Sequence, residues 1–247
     1  MAVLLGEFTA PENVCMYLPA EIASNTYKTM VEVSPTEFDQ MLARGWRRFG
    51  PVYFRPSCSA CQACVPIRVP VDKFEPTKSQ RRAQEKSRHL RLEIREPKVD
   101  QERLELYHRW HKVRERDRGW EESPITAEEY GIQFCWPHPC AREFAYYDRD
   151  KLVAVGYVDE TPEALSSMYF FYEPELGSLS LGIASVLHEI EIARQRHLKY
   201  LYLGFRVIGC SSMEYKMQFR PHELLVGRPA EHDIPLWLPE TEFAARK

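Results

Sequence analysis

No run of this 247-residue chain approaches the apolar length needed to span a bilayer. Its opening, Met1-Ala2-Val3-Leu4-Leu5-Gly6-Glu7, lacks the basic flank and the apolar length of a secretory signal, so a cytoplasmic protein is expected. There is no G-x-S-x-G elbow, phosphate-binding loop or zinc-protease motif, which leaves hydrolase and nucleotidase chemistry without support. Internal repeats and low-complexity tracts are also missing. Net charge is only −3, which excludes a polycation that coats nucleic acid indiscriminately. Disorder is excluded as well, because 44% hydrophobic and 28% charged residues match ordinary globular composition. The length allows one large domain or, as preferred here, two of ordinary size.

Cysteine is not scarce, but its number is odd. Seven cysteines in a chain without an export signal argue against a disulfide framework and for reduced thiols, with some placed to hold a metal. Cys58, Cys61 and Cys64, each separated by two residues, can aim three sulfurs at one centre, and Cys15 is the candidate fourth ligand for zinc or an iron–sulfur cluster. Cys135 and Cys140, which flank His138, and Cys210 read instead as buried packing residues. The cysteine triplet lies in a basic, aromatic setting. Arg47, Arg48, Arg81 and Arg82 are candidates for phosphate contact, with Trp46, Phe49, Tyr53 and Phe54 available for stacking on bases. Charge is also uneven along the chain: residues 78–98 hold eight Lys or Arg against three Glu, whereas residues 221–247 hold three against five acids. Such a field orients a polyanion on one face.

Ser34-Pro35-Thr36-Glu37 is a capping box with proline at the first helical position, and it predicts a helix over 35–44 that stops at Gly45. The prolines of 51–70 predict loop and short strand. Asp100 caps a helix that ends near Gly119, and Thr126-Ala127-Glu128-Glu129 starts a second that reaches about Phe134. Beyond residue 140 the pattern turns to strands at 143–147, 152–158 and 165–172, with Asp148-Arg149-Asp150 as a tight connection. A helix over 181–196, a strand over 200–203, a short helix carrying Met213, Tyr215 and Lys216, and a strand over 223–226 complete the order. The expected fold class is α+β, with a small N-terminal cysteine-containing domain (1–85) and a C-terminal domain (86–247) built on a mainly antiparallel sheet.

The order of three strands, helix, strand, helix and strand resembles the GNAT acyltransferase core. Enzymes of that class that use coenzyme A carry Arg or Gln before the glycine that opens the central helix. Here Leu179 stands there in Leu179-Ser180-Leu181-Gly182, so the coenzyme signature is incomplete, although Gly182 leaves a helix N-terminus suited to a substrate phosphate. The short helix of that fold often offers a tyrosine as proton donor, a role that falls to Tyr215. Lys216 and Arg220 follow close by, near a negatively charged substrate. Asp159 and Glu160, at the end of a meander strand, are candidates to polarise an amine.

Over nearly its whole length the chain is similar to the aminoacyl-tRNA protein transferases, in particular the short bacterial leucyltransferases that act on N-terminal aspartate or glutamate. The similarity is carried by Cys15-Met16-Tyr17-Leu18-Pro19, Gly45-Trp46-Arg47-Arg48-Phe49-Gly50, Tyr53-Phe54-Arg55-Pro56, the cysteine triplet, Ile67-Arg68-Val69 and Ser79-Gln80-Arg81-Arg82 in the first half. In the second half it is carried by Leu179-Ser180-Leu181-Gly182, Tyr200-Leu201-Tyr202-Leu203-Gly204, Tyr215-Lys216 and Phe219-Arg220-Pro221. The resemblance implies leucine transfer from Leu-tRNA to proteins with N-terminal Asp or Glu, with arginine from Arg-tRNA as the alternative donor. It requires no cofactor for the chemistry, because the aminoacyl ester is already activated. Tyr215 and Lys216 are then the catalytic candidates, Arg68, Arg220, Asp159, Glu160 and Gly182 the substrate-binding ones, and Arg47, Arg48, Arg81 and Arg82 the tRNA contacts. Two departures stand out: Leu18 occupies the place of a second cysteine in the larger arginyl enzymes, and Gly209-Cys210-Ser211-Ser212-Met213 lacks a lysine common before the methionine. The rival classes are a coenzyme A acetyltransferase and a non-enzymatic tRNA-binding module.

Overall fold

The structure, a computed structural model, describes residues 2–119 and 124–246. Strands β1 (Val3–Thr9), β2 (Asn13–Val14), β3 (Ile22–Ala23) and β4 (Asn25–Val31) open the chain, followed by helix α1 (Pro35–Ala43) and strands β5 (Arg47–Phe49) and β6 (Val52–Pro56). Four of them form an antiparallel sheet in the order β1-β4-β6-β5, and β2 pairs with β3 beside it. The α1 capping box is present as expected: the Glu37 N–H donates to the Ser34 hydroxyl at 3.3 Å, and the Glu37 carboxylate accepts the Ser34 N–H at 2.9 Å.

The proline-rich stretch departs from expectation. Residues 64–70 form a seven-residue strand, β7 (Cys64–Pro70), inside the second sheet. Val65, Ile67 and Val69 alternate onto the face that joins the largest core, a period-two pattern that outweighs the prolines. Pro70 ends the strand, and Pro66 falls at a break in register, where a missing ladder donor costs little.

Helix α2 (Lys78–Ser87), strand β8 (Arg91–Arg95), helices α3 (Gln101–Arg118) and α4 (Ala127–Phe134), and strands β9 (Ala141–Asp148), β10 (Lys151–Glu160) and β11 (Ala164–Tyr172) follow. Next come a 3-10 turn (Pro174–Leu179), helix α5 (Leu181–Gln195), strand β12 (Tyr200–Val207), short helix α6 (Ser211–Glu214) and a 3-10 turn (Tyr215–Gln218). Strands β13 (Glu223–Leu225) and β14 (Trp237–Pro239) and helix α7 (Glu240–Ala244) close the chain. The large sheet runs β14-β13-β7-β12-β11-β10-β9-β8, antiparallel except between β11 and β12. The GNAT-like order of meander, helix and returning parallel strand is therefore present. α5 packs against a core with Val65, Leu165 and Leu201, whereas α3 and α4 cover a second core with Val155 and Phe171.

The expected division at residues 85 and 86 falls inside α2. Hydrogen bonding crosses it, because β7 belongs to the large sheet. A third core joins Phe38, Leu42, Trp46 and Tyr53 of the first part to Cys140, Ala164 and Tyr202 of the second.

Candidate active site

β11 and β12 are hydrogen-bonded partners over only three positions, Ala164 with Tyr200, Leu165 with Leu201 and Ser166 with Tyr202. From Ser167 onward the two strands diverge, since β12 continues along β7 to the pairing of Val207 with Cys64. The result is a wedge in the sheet between the two strands. On the β12 side the ladder is broken between Tyr202 and Phe205, and Gly204 there has φ +76°, a left-handed conformation that a glycine adopts without strain.

This break turns backbone carbonyls out of the ladder, and two buried cations take them up. Lys216 Nζ donates to Phe205 O at 2.9 Å, and Arg47 Nη2 donates to Gly204 O at 3.5 Å. The Arg47 guanidinium also lies 5.1 Å from the Tyr202 ring centre and 5.7 Å from that of Phe205. Burial pushes Arg47 down to about 10. Burial, with the Arg47 charge adding to it, pushes the Lys216 ammonium down to about 7. Lys216 therefore gives up its proton more readily than an exposed lysine, and its hydrogen bond to Phe205 O braces the wedge.

Tyr215 precedes it, and part of its ring is exposed. Its phenol is pushed up to about 12, first by loss of solvent and then by the Glu189 carboxylate, with Arg114 of α3 pulling the other way. Groups from both faces of the sheet thus act on one hydroxyl. The phenol is protonated at neutral pH and available as a hydrogen-bond or proton donor. Near the same wedge, Tyr169 is hydrogen-bonded to His111 Nε2 at 2.7 Å, and His111 Nδ1 to Glu115 at 3.2 Å.

The other expected site residues are scattered. Arg48 is buried, donates to Gly50 O at 3.0 Å and is ion-paired with buried Asp159. Neither Arg47 nor Arg48 is open to a phosphate, and Asp159 is not free for an amine. These three expectations are corrected by burial: Arg48 and Asp159 pair with each other, and Arg47 donates to backbone carbonyls. Glu160 is likewise engaged, with Arg142 at 3.0 Å and Arg196 at 2.6 Å. Arg68 pairs with Glu223 at 2.7 Å and lies over the Tyr200 and Trp237 rings. Arg220 is exposed and meets Glu240 at 3.0 Å. Gly182 opens α5 two turns before Glu189, and a Cβ there would touch nothing within 4 Å.

Arg81 and Arg82 stand on the outer face of α2, together with exposed Lys78, Lys86 and Arg88. The inner face of α2 is buried through Gln80, Ala83 and Ser87. Gln80 belongs to a capping box with Thr77, and its amide donates to Gln218 O at 3.1 Å, which ties α2 to the turn that carries Tyr215.

Cys15, Cys58, Cys61 and Cys64 are free thiols in one region, and Cys64 is pushed up to about 12 by burial and then by the other three. Cys58 Sγ, however, exchanges hydrogen bonds with the Ser24 backbone at 3.5 Å, and Cys61 Sγ accepts the Ala63 N–H at 3.5 Å. Among the described residues no three His, Cys, Asp or Glu side chains converge as metal ligands. The arrangement does not fit the expected zinc or cluster, and no chemistry below uses these sulfurs.

Sequence reasoning passed over Glu189. Its signal was an acid placed between Leu187-His188 and Ile190 on a helix buried on nearly every side, whose other acid, Glu191, is exposed.

No helix among the described residues is long and apolar enough to cross a membrane. The family described as arginine-tRNA-protein transferase matches with its N-terminal part over residues 13–82 and its C-terminal part over 102–226. An aspartate/glutamate leucyltransferase from Helicobacter hepaticus is 33% identical over 234 residues, 94% of this chain and 97% of the relative. One from Campylobacter jejuni is 34% identical over 221 residues, covering 89% and 92%. Among solved structures, L-PGS from Bacillus licheniformis aligns with a TM-score of 0.49 at 11% identity, over 79% of this chain and 60% of that one.

Proposed function

Since the chain belongs to the arginine-tRNA-protein transferase family, we propose that it moves leucine from Leu-tRNA to the α-amine of proteins that begin with Asp or Glu. The observation that carries this reading is the identity to an aspartate/glutamate leucyltransferase over 97% of that relative. Working in the cytoplasm, such an enzyme marks acidic N-termini with leucine and feeds N-terminal-dependent proteolysis.

The donor ester is activated, so the reaction needs no nucleotide. The neutral α-amine of the acceptor forms a bond to the ester carbonyl, backbone amides at the wedge steady the oxyanion, and the C–O bond to the ribose breaks. Tyr215 gives its proton to the departing ribose oxygen, and the phenol regains it as the amine sheds its own. Its high pKa suits a strongly basic leaving oxygen. Lys216 holds β12 in position and keeps the carbonyls of the wedge fixed. Arg220, exposed beside the turn, receives the acidic side chain of the acceptor in exchange for Glu240, with Arg68 as the deeper alternative. Arg81 and Arg82 take tRNA phosphates along α2.

The test is transfer of labelled leucine and, separately, arginine from charged tRNA to peptides that begin with Asp, Glu or Ala, without ATP. Leucine on the acidic peptides alone is expected. Arginine transfer would change the donor, and no transfer of either would remove the reading.

A further inference from the structure

Among the described residues five carboxylates are buried: Glu115, Glu143, Asp159, Glu173 and Glu189. Four have a basic partner. Asp159 pairs with Arg48, Glu143 with Arg95 and Arg103, Glu173 with Arg109 at 3.0 Å, and Glu115 with His111 at 3.2 Å. Glu189, 2% exposed, has none among the described residues. Its Oε1 accepts a hydrogen bond from the Ser167 hydroxyl at 3.4 Å, and its Oε2 has no partner among the described residues. An isolated carboxylate in the interior is costly, so such a group either keeps a proton or is completed by a ligand.

Its place in the fold favours the ligand. Ser167 is the first residue of β11 after the pairing with β12 ends, so it stands at the mouth of the wedge. The Glu189 carboxylate reaches it from α5, and Tyr215 feels the same carboxylate. Resting on the transferase reading above, we infer that Glu189 binds the α-ammonium group of the leucyl moiety on the donor. That cation is attached to the carbon next to the ester carbonyl, so a carboxylate that grips it places the carbonyl within reach of Tyr215.

The donor amine suits this role better than the acceptor amine. It is a spectator that keeps its proton throughout the transfer, and an ion pair with it is stable. The acceptor amine must lose its proton to attack, and a buried carboxylate clasped to it would hold it in the unreactive form. Burial pushes the Glu189 carboxyl up to about 8, which fits a group that is protonated when alone and ionised against an arriving cation. The pocket is then selective as well: a donor with a neutral substituent in place of the ammonium leaves Glu189 unpaired.

The experiment compares tRNA charged with leucine and tRNA charged with its 2-hydroxy isostere, assayed with full-length protein and an acidic peptide. In the wild type, kcat/KM is expected to fall about 100-fold for the hydroxy donor, which offers the carboxylate a neutral hydroxyl in place of a hydrogen-bonded cation. Glu189→Gln should raise KM for Leu-tRNA and bring the two donors to within a few-fold of one another, with an unchanged Tm. Should that variant fail to fold, Glu189→Asp, which withdraws the carboxylate by one methylene, is expected to shrink the ratio about tenfold. Equal use of both donors by the wild type overturns the proposal, as does a folded variant that keeps full discrimination or loses only acceptor-peptide affinity. No leucine transfer by the wild type would be a different failure, that of the transferase reading itself.

Discussion

Arg48 and Asp159 show how burial reassigns a residue that looks reactive in a sequence. Both were legible as charged groups in motif-rich segments, but only the fold brings residues 111 positions apart into an ion pair in the interior. Arg48→Met should destabilise the protein by about 3–5 kcal/mol, because it strands the carboxylate. The double variant with Asp159→Leu should recover most of that loss. Urea unfolding of the three variants checks it, and purely additive losses would mean that the pair is not coupled. Tyr215 carries the opposite expectation. Tyr215→Phe should lower single-turnover leucine transfer by about 10²-fold or more with tRNA affinity unchanged, since it removes a proton donor and almost no contact area. Unchanged turnover would take that role away from it.

Among the elements, helix starts were the most legible. Ser34 with Glu37, Thr126 with Glu129 and Asp100 each cap the helix expected of them, because capping is decided within four residues of sequence. The Ser34 hydroxyl, then the Ala2 and Ser34 N–H groups, hold the Glu37 carboxyl down to about 2. A depressed carboxyl stabilises the fold above its unfolded pKa of about 4.3, and that stabilisation is lost as pH falls through about 2. Ser34→Ala should cost about 1 kcal/mol at neutral pH and return the Glu37 titration toward its ordinary range, as followed by carboxyl NMR. A titration that stays near 2 would assign the shift elsewhere. The strands were less legible. β7 was hidden by its prolines, and the bulge at Gly204 depends on where β12 leaves β11, a long-range event. Gly204→Ala should cost at least about 1 kcal/mol, because φ +76° is unfavourable for a side chain, and should slow transfer by disturbing the carbonyls that Lys216 and Arg47 hold. Thermal unfolding together with kcat tests this, and an Ala variant equal to wild type in both would remove the bulge from the account.

At the scale of the molecule, the basic face of α2 and the turn with Tyr215 form one mechanical unit through Gln80 and Gln218. Replacing both Arg81 and Arg82 by Ala should weaken tRNA binding and flatten the plot of log affinity against log salt by about 1.4 to 1.8, the loss of two phosphate contacts. A slope equal to that of the wild type would put the tRNA on another face.

Sequence by itself determined what depends on neighbours: the capped helices, the three-strand meander with its tight turn at Asp148-Arg149-Asp150, and the ordered motifs by which the family is known. Tertiary structure alone decided which charges are exposed. It buried Arg47, Arg48, Asp159 and Lys216, kept Arg81, Arg82 and Arg220 at the surface, and left Glu189 at the wedge without a counter-ion among the described residues. The reason is physical: the free energy of a charge depends on the solvent and partners that folding gives it, and for Arg47, Arg48 and Asp159 those include residues a hundred or more positions away.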